Sequence, residues 1–231
     1  MFTSNIDENF LRGALERGEV VLVLGAGASA SSENRDGDPV KLARALAEAV
    51  ADLASMPYAN ETLTEVLGAV EGSLVSRQRI DELLVHEYAK VTGCADLERL
   101  FDFTWRRIYT WNYDDGLENL RNSGVQRRRI FNGMIDSASI DDDITHLQTI
   151  YLHGQITKIE HGLILTETEY NKVIAGEKHN WYRQLAVDYV KWTPVFIGSK
   201  LNEPILSLEL ERAEKIGTTV WARLTLSSRT N

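Results

Sequence analysis

The sequence predicts an α/β fold of the Rossmann type, with a mostly parallel sheet, helices on both faces and an inserted helical subdomain. Residues 20–24 are an unbroken run of valine and leucine closed by Gly25, which is typical of a strand covered on both faces. From residue 107 onward strand and helix patterns alternate, which favours parallel strands joined by crossover helices. The insertion is predicted at about residues 55–100, where apolar residues recur at helical spacing with few strand signatures.

The first half of the chain is predicted to be mostly helical around that one strand. Apolar spacing predicts a short amphipathic helix over residues 6–17. A polar loop over residues 31–39 separates the glycine-rich end of the strand from a helix predicted over residues 40–53, which has a single apolar stripe. Helical spacing then continues over residues 62–99.

The second half alternates between strands and helices. Short runs rich in β-branched and aromatic residues predict strands, and amphipathic stretches predict helices. The predicted strands cover residues 107–111, 128–131, 149–152, 194–197 and 218–226, and the predicted helices cover residues 114–122, 181–192 and 204–216. Pro204 suits the first turn of the last helix, where its missing N–H breaks no hydrogen bond. Because the chain ends directly after a predicted strand, we expect it to be the N-terminal part of a longer protein.

Length and charge limit the organisation and the partners. The 231 residues can bury one sizeable core, so we expect a single domain over residues 1–231. A net charge of −9 disfavours direct nucleic-acid binding, which requires an excess of Lys and Arg. Arg127-Arg-Arg129 is interpreted as a solvated strand edge or turn rather than a phosphate site. Asp141-Asp-Asp143 is interpreted as a solvated loop, since it lacks the ligand spacing of a calcium loop.

Apolar content and cysteine usage bear on compartment and chemistry. No apolar run reaches the roughly 18 residues that span a bilayer, and residues 1–8 lack a secretory pattern, so we expect a cytoplasmic protein. Cys94 is the single cysteine, which excludes an intramolecular disulfide and a four-thiolate zinc site. Without a nearby histidine, Cys94 is interpreted as a packed or incidental thiol.

The first chemical motif is Gly25-Ala-Gly-Ala-Ser29, directly after the buried strand. Small residues at such a turn let backbone N–H groups approach a pyrophosphate. The motif departs from the dehydrogenase fingerprint, because Ala30 replaces its last glycine and the acidic residue near the expected spacing, Glu48, falls in a predicted helix. A hydride-transfer enzyme is therefore disfavoured, and a simple tight turn is the structural alternative.

The second motif, Thr110-Trp-Asn-Tyr-Asp114, ends a predicted strand, where open α/β sheets bind ligands. Asn112 can both donate to and accept from a ribose diol. Taken alone, the motif favours the alternative that Asn112 caps the helix beginning near Asp114.

Two further motifs also follow strands. His153 ends an apolar strand and precedes Gly154, so its imidazole could exchange a proton at neutral pH beside a closely bound substrate. A satisfied core histidine is the alternative. Gly198 and Ser199 end the strand before the helix that begins at Pro204, and the start of a helix suits an anion.

In this order, the four motifs resemble the Sir2 superfamily, specifically the zinc-free Sir2-like domains of bacterial antiphage defence proteins. The resemblance spans about residues 20–226. It implies that NAD+ is held by the glycine-rich turn and the later Gly-Ser loop, that Asn112 with Asp114 engages the nicotinamide ribose, and that His153 is catalytic. The NAD+-binding residues that it implies are Gly25, Ala26, Gly27, Ser29, Asn112, Asp114, Gly198 and Ser199.

The departures from the sirtuin pattern direct the functional hypothesis. This chain has Gly37-Asp-Pro-Val-Lys41 where deacylating sirtuins carry a Gly-Ile-Pro-Asp-Phe-Arg-like segment, it lacks their zinc module, and it has Lys200 where the family often has Ser. We therefore predict a metal-independent NAD+ glycohydrolase with Asn112 and His153 as catalytic residues. The alternatives are a divergent deacylase or ADP-ribosyltransferase, and a non-catalytic nucleotide-sensing module.

The resemblance also implies a regulated effector. A domain that depletes NAD+ in antiphage defence must stay silent until it is triggered, which implies a homo-oligomer or a larger complex with a sensor. An Argonaute-like module, a HerA-like helicase and a repeat sensor all fit this expectation.

Overall fold

A parallel β-sheet organises the computed structural model, which describes residues 7–71, 73, 75–93, 95–120, 125–176, 180–199, 204–215 and 224–226. Within these residues the sheet has six strands in the order β3-β4-β2-β1-β5-β6, and every neighbouring pair is parallel. The strands are β1 (Val20–Leu24), β2 (Arg107–Thr110), β3 (Arg127–Asn132), β4 (His146–Tyr151), β5 (Thr193–Ile197) and β6 (Leu224–Leu226).

The helices of the described residues lie between these strands. They are α1 (Glu8–Glu16), α2 (Ala43–Leu53), α3 (Leu63–Glu71), α4 (Arg77–Tyr88), α5 (Ala95–Glu98), α6 (Gly116–Asn119), α7 (Glu167–Ala175), α8 (Asn180–Lys191) and α9 (Pro204–Lys215). Short 3₁₀ segments cover Ala26–Ser29, Arg99–Asp102 and Ile156–His161. No helix in the described part of the chain is both long and apolar enough to cross a membrane.

Alternating side chains of the buried strands form two cores. Leu22 of β1 belongs to a cluster with residues of α2, α3 and α4. Val23, which points to the opposite face, belongs to a cluster with residues of α8 and α9. The predicted α/β fold with a parallel sheet and helices on both faces is therefore confirmed. Helices α3 and α4 fall in the predicted insertion and share the first core with the sheet, and the division into domain and insertion stays a prediction.

Strand order places a crevice at the carboxyl end of β1. The crossover from β1 to β2 runs through α2–α5 on one face, whereas the chain reaches β5, on the other side of β1, through α7 and α8. Open α/β sheets bind ligands where adjacent connections diverge in this way. The glycine-rich turn after β1 and the Gly-Ser loop after β5 both lie at this point.

Some boundaries differ from the sequence predictions. Helix α6 begins at Gly116 rather than at residue 114, and β4 begins at His146, three residues before the predicted start. Helix α7 was not predicted at all, although its Thr166 and Glu169 form a reciprocal capping box, which is a helix signal readable from sequence. The predictions for Cys94 and Lys200 lie outside the described residues.

The two charged runs have structural partners. Arg128 donates hydrogen bonds to backbone carbonyls after and within α6, and Arg129 pairs with Asp141 at 2.9 Å. Asp142 accepts from Arg106 at 2.7 Å. The arginine run is therefore bound to α6 and to the loop before β4, and the aspartate run pairs with an arginine of β3 and with the arginine that precedes β2.

Candidate functional site

A pocket opens at the carboxyl ends of β1, β2 and β4. It contains about 630 Å³ of empty space, part of it open to solvent. The apolar residues that line it include Val40, Leu42, Leu46, Leu63 and Trp111. The polar residues that line it include Ser29, Lys41, Asn112, Asp114 and His153. Side chains that lie far apart in sequence therefore meet at the edge of the sheet where the fold predicts a ligand.

A chain of hydrogen bonds joins three of these polar residues. The Asn112 side-chain amide Nδ2 donates to Ser29 Oγ at 2.9 Å, and Ser29 Oγ donates to Asp114 Oδ2 at 2.9 Å. The other carboxylate oxygen, Oδ1 of Asp114, accepts from the backbone N–H of Gly116 at 3.0 Å. Ser29 comes from the turn after β1, whereas Asn112 and Asp114 follow β2.

The direction of this chain determines what Asn112 offers to a ligand. An ionised Asp114 only accepts hydrogen bonds, so the Ser29 hydroxyl must donate to it. The Ser29 oxygen is then left as an acceptor, which turns the Nδ2 side of the Asn112 amide toward it. The carbonyl Oδ1 of Asn112 is thereby left available as a hydrogen-bond acceptor for a ligand or a water molecule.

Asp114 is buried, with only 4% of its surface exposed. Burial raises the pKa of its carboxyl above the ordinary value, and the hydrogen bonds from Ser29 and Gly116 oppose that rise. Acidification would therefore change the hydrogen-bond chain. A protonated Asp114 could itself donate to Ser29, and the Ser29 hydroxyl would no longer have to donate to Asp114.

Helix capping does not explain Asn112. Its side chain bonds Ser29, and its backbone N–H donates to Thr110 Oγ1 at 3.0 Å. The residue at the N-cap of α6 is Asp115, whose carboxylate accepts instead from the N–H groups of Lys90 and Val91. The structure therefore contradicts the alternative that Asn112 serves as the N-cap.

His153 follows β4 and is 5% exposed. Its backbone carbonyl accepts from the N–H of Ile164 at 3.0 Å. Its ring nitrogen Nε2 lies 3.1 Å from the hydroxyl of Tyr170. Tyr113 and Tyr182 also pack against the imidazole, with ring centroids 6.0 and 6.4 Å away. The imidazole is thus held in an aromatic surrounding at the border of the pocket.

The glycine-rich turn packs directly against the loop after β5. The Gly25 N–H donates to Ile197 O at 2.9 Å, and the Gly27 N–H donates to Gly198 O at 3.0 Å. A Cβ atom at Gly25 would lie 2.6 Å from Gly198 O, and one at Gly27 would lie 2.8 Å from Gly198 Cα. Close approach of two backbones therefore requires these glycines, in addition to any requirement of a ligand.

The sequence-predicted site residues fall into two groups. Ala26, Ser29, Asn112, Asp114 and His153 line the pocket. Gly25, Gly27, Gly198 and Ser199 are not among the lining residues and lie where the two loops meet. The structure thus brings all of them to one corner of the sheet, with the second group shaping the turn that carries Ser29.

The sequence interpretation missed several residues around the pocket. Lys41 lines the pocket and pairs with Glu87 at 2.9 Å, and Glu87 is fully buried. The hydroxyl of Tyr113 donates to Ile164 O at 2.8 Å, next to the backbone bond that holds His153. Among these residues, only Tyr170 could have been placed from the sequence, because the capping-box pattern at Thr166 predicts the helix on which it lies.

Comparison with protein families adds one match. A family model described as a SIR2-like domain matches residues 106–224, slightly more than half of the chain. The matched region begins at β2 and contains Asn112, Asp114, His153 and Gly198, and it excludes the glycine-rich turn. No curated protein matches the chain. Among the described residues, no cluster of three or more His, Cys, Asp or Glu side chains is placed to hold a metal ion.

Proposed function

The chain belongs to the SIR2-like domain family, and from this premise we propose that its site hydrolyses NAD+ at the bond between nicotinamide and ribose. Domains of this family are generally NAD-dependent enzymes. The observation that carries the proposal is that one pocket combines an oriented amide, Asn112, with an imidazole, His153. The pocket lies at the carboxyl edge of a parallel sheet, where dinucleotides bind.

The chemistry of the bond determines what the site must supply. Nicotinamide is a cationic pyridinium in NAD+, and it leaves as a neutral molecule with the electron pair of the C–N bond. No general acid is required for this departure. Positive charge develops on the ribose, so an enzyme accelerates the step by stabilising an oxocarbenium-like ribose and by delivering water.

Two side chains fit these tasks. The Oδ1 acceptor of Asn112 would bind a ribose hydroxyl or the attacking water, because its Nδ2 is already committed to Ser29. His153 would act as general base. As the water oxygen forms its bond to the ribose carbon, one water proton passes to the imidazole, either directly or through a ribose hydroxyl, and ADP-ribose is the second product.

The shape of the pocket supports the same substrate. Its apolar lining, which includes Leu46, Leu63 and Trp111, suits a flat pyridine ring and would keep bulk water away from the reacting carbon. The glycine-rich turn contacts the Gly198 loop at the switch point of the sheet, where the pyrophosphate would bind.

We further propose that the activity is a regulated effector function in antiphage defence, exerted by depletion of NAD+. An enzyme that consumes a central cofactor harms its own cell unless it is held silent, so control by oligomerisation or by an attached or separate sensor is expected. The active species to assay is therefore the complete protein in its assembled state.

A product assay tests the proposed reaction. The complete assembled protein is incubated with NAD+, with and without an acyl-lysine peptide, and nicotinamide and ADP-ribose are quantified. We expect the two products in equal amounts without peptide. Strict dependence on the peptide would assign acyl transfer instead, and NAD+ binding without turnover would assign a sensing module.

A substitution at Asp114 tests the direction of the hydrogen-bond chain. We expect Asp114→Asn to lower the rate of nicotinamide release by about 100-fold, the scale on which loss of an orienting partner lowers activity. The new amide would keep its oxygen on Gly116 N–H and donate to Ser29 from its nitrogen. The Ser29 hydroxyl would then donate to Asn112, whose Oδ1 would turn away from the substrate.

Acidification is expected to have the same effect. Because the pKa of Asp114 is raised, the activity of the unchanged protein should fall at a higher pH than an ordinary aspartate would cause. The folded state raises this pKa, so the ionised group costs folding free energy at neutral pH, and this cost disappears as the pH falls through the folded pKa. The Tm of Asp114→Asn at neutral pH is therefore not expected to fall.

Two comparisons make this test specific. Asp52→Asn changes the same residue type at an exposed position of α2 and should leave the rate unchanged. If the hydrogen-bond chain acts as one unit, the double variant Ser29→Ala/Asp114→Asn should lose little more activity than Ser29→Ala alone. A wild-type rate for Asp114→Asn at neutral pH would show that Asn112 does not depend on this chain.

A further inference from the structure

We propose that Tyr170 is a positioning residue for His153, because its phenol oxygen lies within hydrogen-bond distance of Nε2 of the imidazole and restrains the orientation of the ring and the position of its proton. Tyr170 lies on α7, outside every motif that relates the chain to known enzymes. Its hydroxyl is 3.1 Å from Nε2, and its ring meets the imidazole edge-on, with an interplanar angle of 89° and a centroid distance of 5.4 Å. The kinetic part of this inference rests on the proposed NAD+ hydrolysis, and the structural part does not.

The hydrogen bond between the phenol and the imidazole contains a single proton, and its position is linked to the tautomer of the ring. A neutral imidazole has one N–H and one bare nitrogen, and the partner of one nitrogen decides which is which. If the hydroxyl donates to Nε2, the ring proton lies on Nδ1, and if the hydroxyl accepts, the ring proton lies on Nε2. A general base needs a bare ring nitrogen, so the proposed role of His153 requires the second case, in which the hydroxyl accepts from Nε2–H and the lone pair lies on Nδ1.

The backbone around Tyr170 holds the phenol in place. Helix α7 begins with the capping box of Thr166 and Glu169. The carboxylate of Glu169 also accepts from the N–H of Leu165 at 2.7 Å and pairs with Arg77 of α4 at 2.7 Å. Ile164, the residue before Leu165, donates its N–H to the carbonyl of His153. One short segment therefore connects the start of α7 to the backbone of the histidine that Tyr170 contacts.

The other aromatic neighbours make a different contact. Tyr113 and Tyr182 present their rings at smaller angles to the imidazole, 33° and 35°, and pack against it. They restrict its position by ring packing, and Tyr170 adds a hydroxyl within hydrogen-bond distance of a ring nitrogen. Tyr170 is absent from the residues that line the pocket, so its effect on a substrate would pass through His153.

The substitution Tyr170→Phe removes only the hydroxyl. In the complete protein we expect kcat for nicotinamide release to fall about 10-fold, as for other partners that orient a histidine, with KM nearly unchanged. In the same protein labelled with ¹⁵N-histidine and held near pH 8.5, where an ordinary imidazole is neutral, we expect the signal of His153 Nε2 to shift, because this nitrogen loses its hydrogen bond to the phenol. The His153→Gln variant assigns the signals.

A matched control is Tyr58→Phe, which removes a phenol that bonds a backbone carbonyl, Glu61 O, in an exposed loop. It should leave kcat and the His153 signals unchanged. Unaltered His153 nitrogen signals in a folded Tyr170→Phe protein would overturn the inference, and so would a loss that appears in KM alone. If the wild-type protein releases no nicotinamide, the proposed function fails, and the nitrogen signals still decide whether Tyr170 positions the imidazole.

Discussion

His153→Ala and Asn112→Ala should each lower the rate of nicotinamide release from the complete protein by about 1,000-fold. This is the middle of the range for a lost general base. His153→Ala removes the group that takes the proton from water. Asn112→Ala removes the Oδ1 acceptor at the ribose, and an oriented polar group at a developing charge has a similar effect on rate. We expect kcat to account for most of both losses, because each interaction strengthens in the transition state.

The chain offers a matched control for each substitution. His146 begins the same strand that His153 follows, at the opposite edge of the sheet, and Asn9 is exposed on α1. His146→Ala and Asn9→Ala should keep the wild-type rate. Retention of full activity by either His153→Ala or Asn112→Ala, in protein with a normal Tm, would refute the assignment of that residue.

The combined variant tests whether the two residues serve one step. Residues that act as a unit show strongly non-additive losses. If Asn112 orients the water that His153 deprotonates, the double variant should be little slower than the slower single variant. A product of the two losses would instead place the residues in separate steps, such as ribose binding for Asn112 and water activation for His153.

The sheet could be predicted from the sequence because its signals are local. An unbroken apolar run such as Val20–Leu24 is typical of a central strand covered on both faces. In the structure this strand is fully buried. The polar residues that follow strands could also be predicted to meet, since the carboxyl ends of parallel strands share one edge. The sequence does not contain the strand order, which places β5 rather than β4 beside β1.

The internal organisation of the site could not be predicted. Ser29 and Asp114 are separated by 85 positions, and nothing in either motif indicates that a serine would join the asparagine to the aspartate. The family resemblance implies that the three residues contact a ligand, whereas the structure shows that they also bond one another. Such a chain depends on side-chain geometry within about half an ångström, which residue type and spacing do not determine.

The glycine motif differs, because the sequence correctly indicates a turn that needs small residues but gives only one of the two physical reasons for them. Ligand approach explains why a turn at a pyrophosphate is small. In this structure the same glycines are also required by the loop after β5, because a Cβ at Gly25 would overlap Gly198. A sequence that shows both loops cannot show that they touch, since the contact depends on β1 and β5 being neighbours.

Among the glycines whose surroundings the structure describes, Gly198 is therefore expected to tolerate least the methyl group that Gly198→Ala adds. Gly198 has a φ of +67°, and a Cβ there would lie 2.2 Å from the backbone nitrogen of Ala28 and 2.4 Å from the carbonyl carbon of Gly27. The positive φ and the steric overlap together should lower the free energy of unfolding by about 3 kcal/mol. The relief of the overlap would displace the turn that carries Ser29, so nicotinamide release should fall even in the fraction that remains folded.

Gly37→Ala separates the two causes. Gly37 has a similar positive φ of +84°, but a Cβ there would have no atom within 4 Å. It should cost only the backbone preference, about 1 kcal/mol, in a denaturant titration run beside Gly198→Ala. Equal losses for the two variants would mean that the loops after β1 and β5 are not in backbone contact. A larger loss for Gly198→Ala, with activity lost in it and kept in Gly37→Ala, would make that contact the support on which the Ser29–Asn112–Asp114 chain depends.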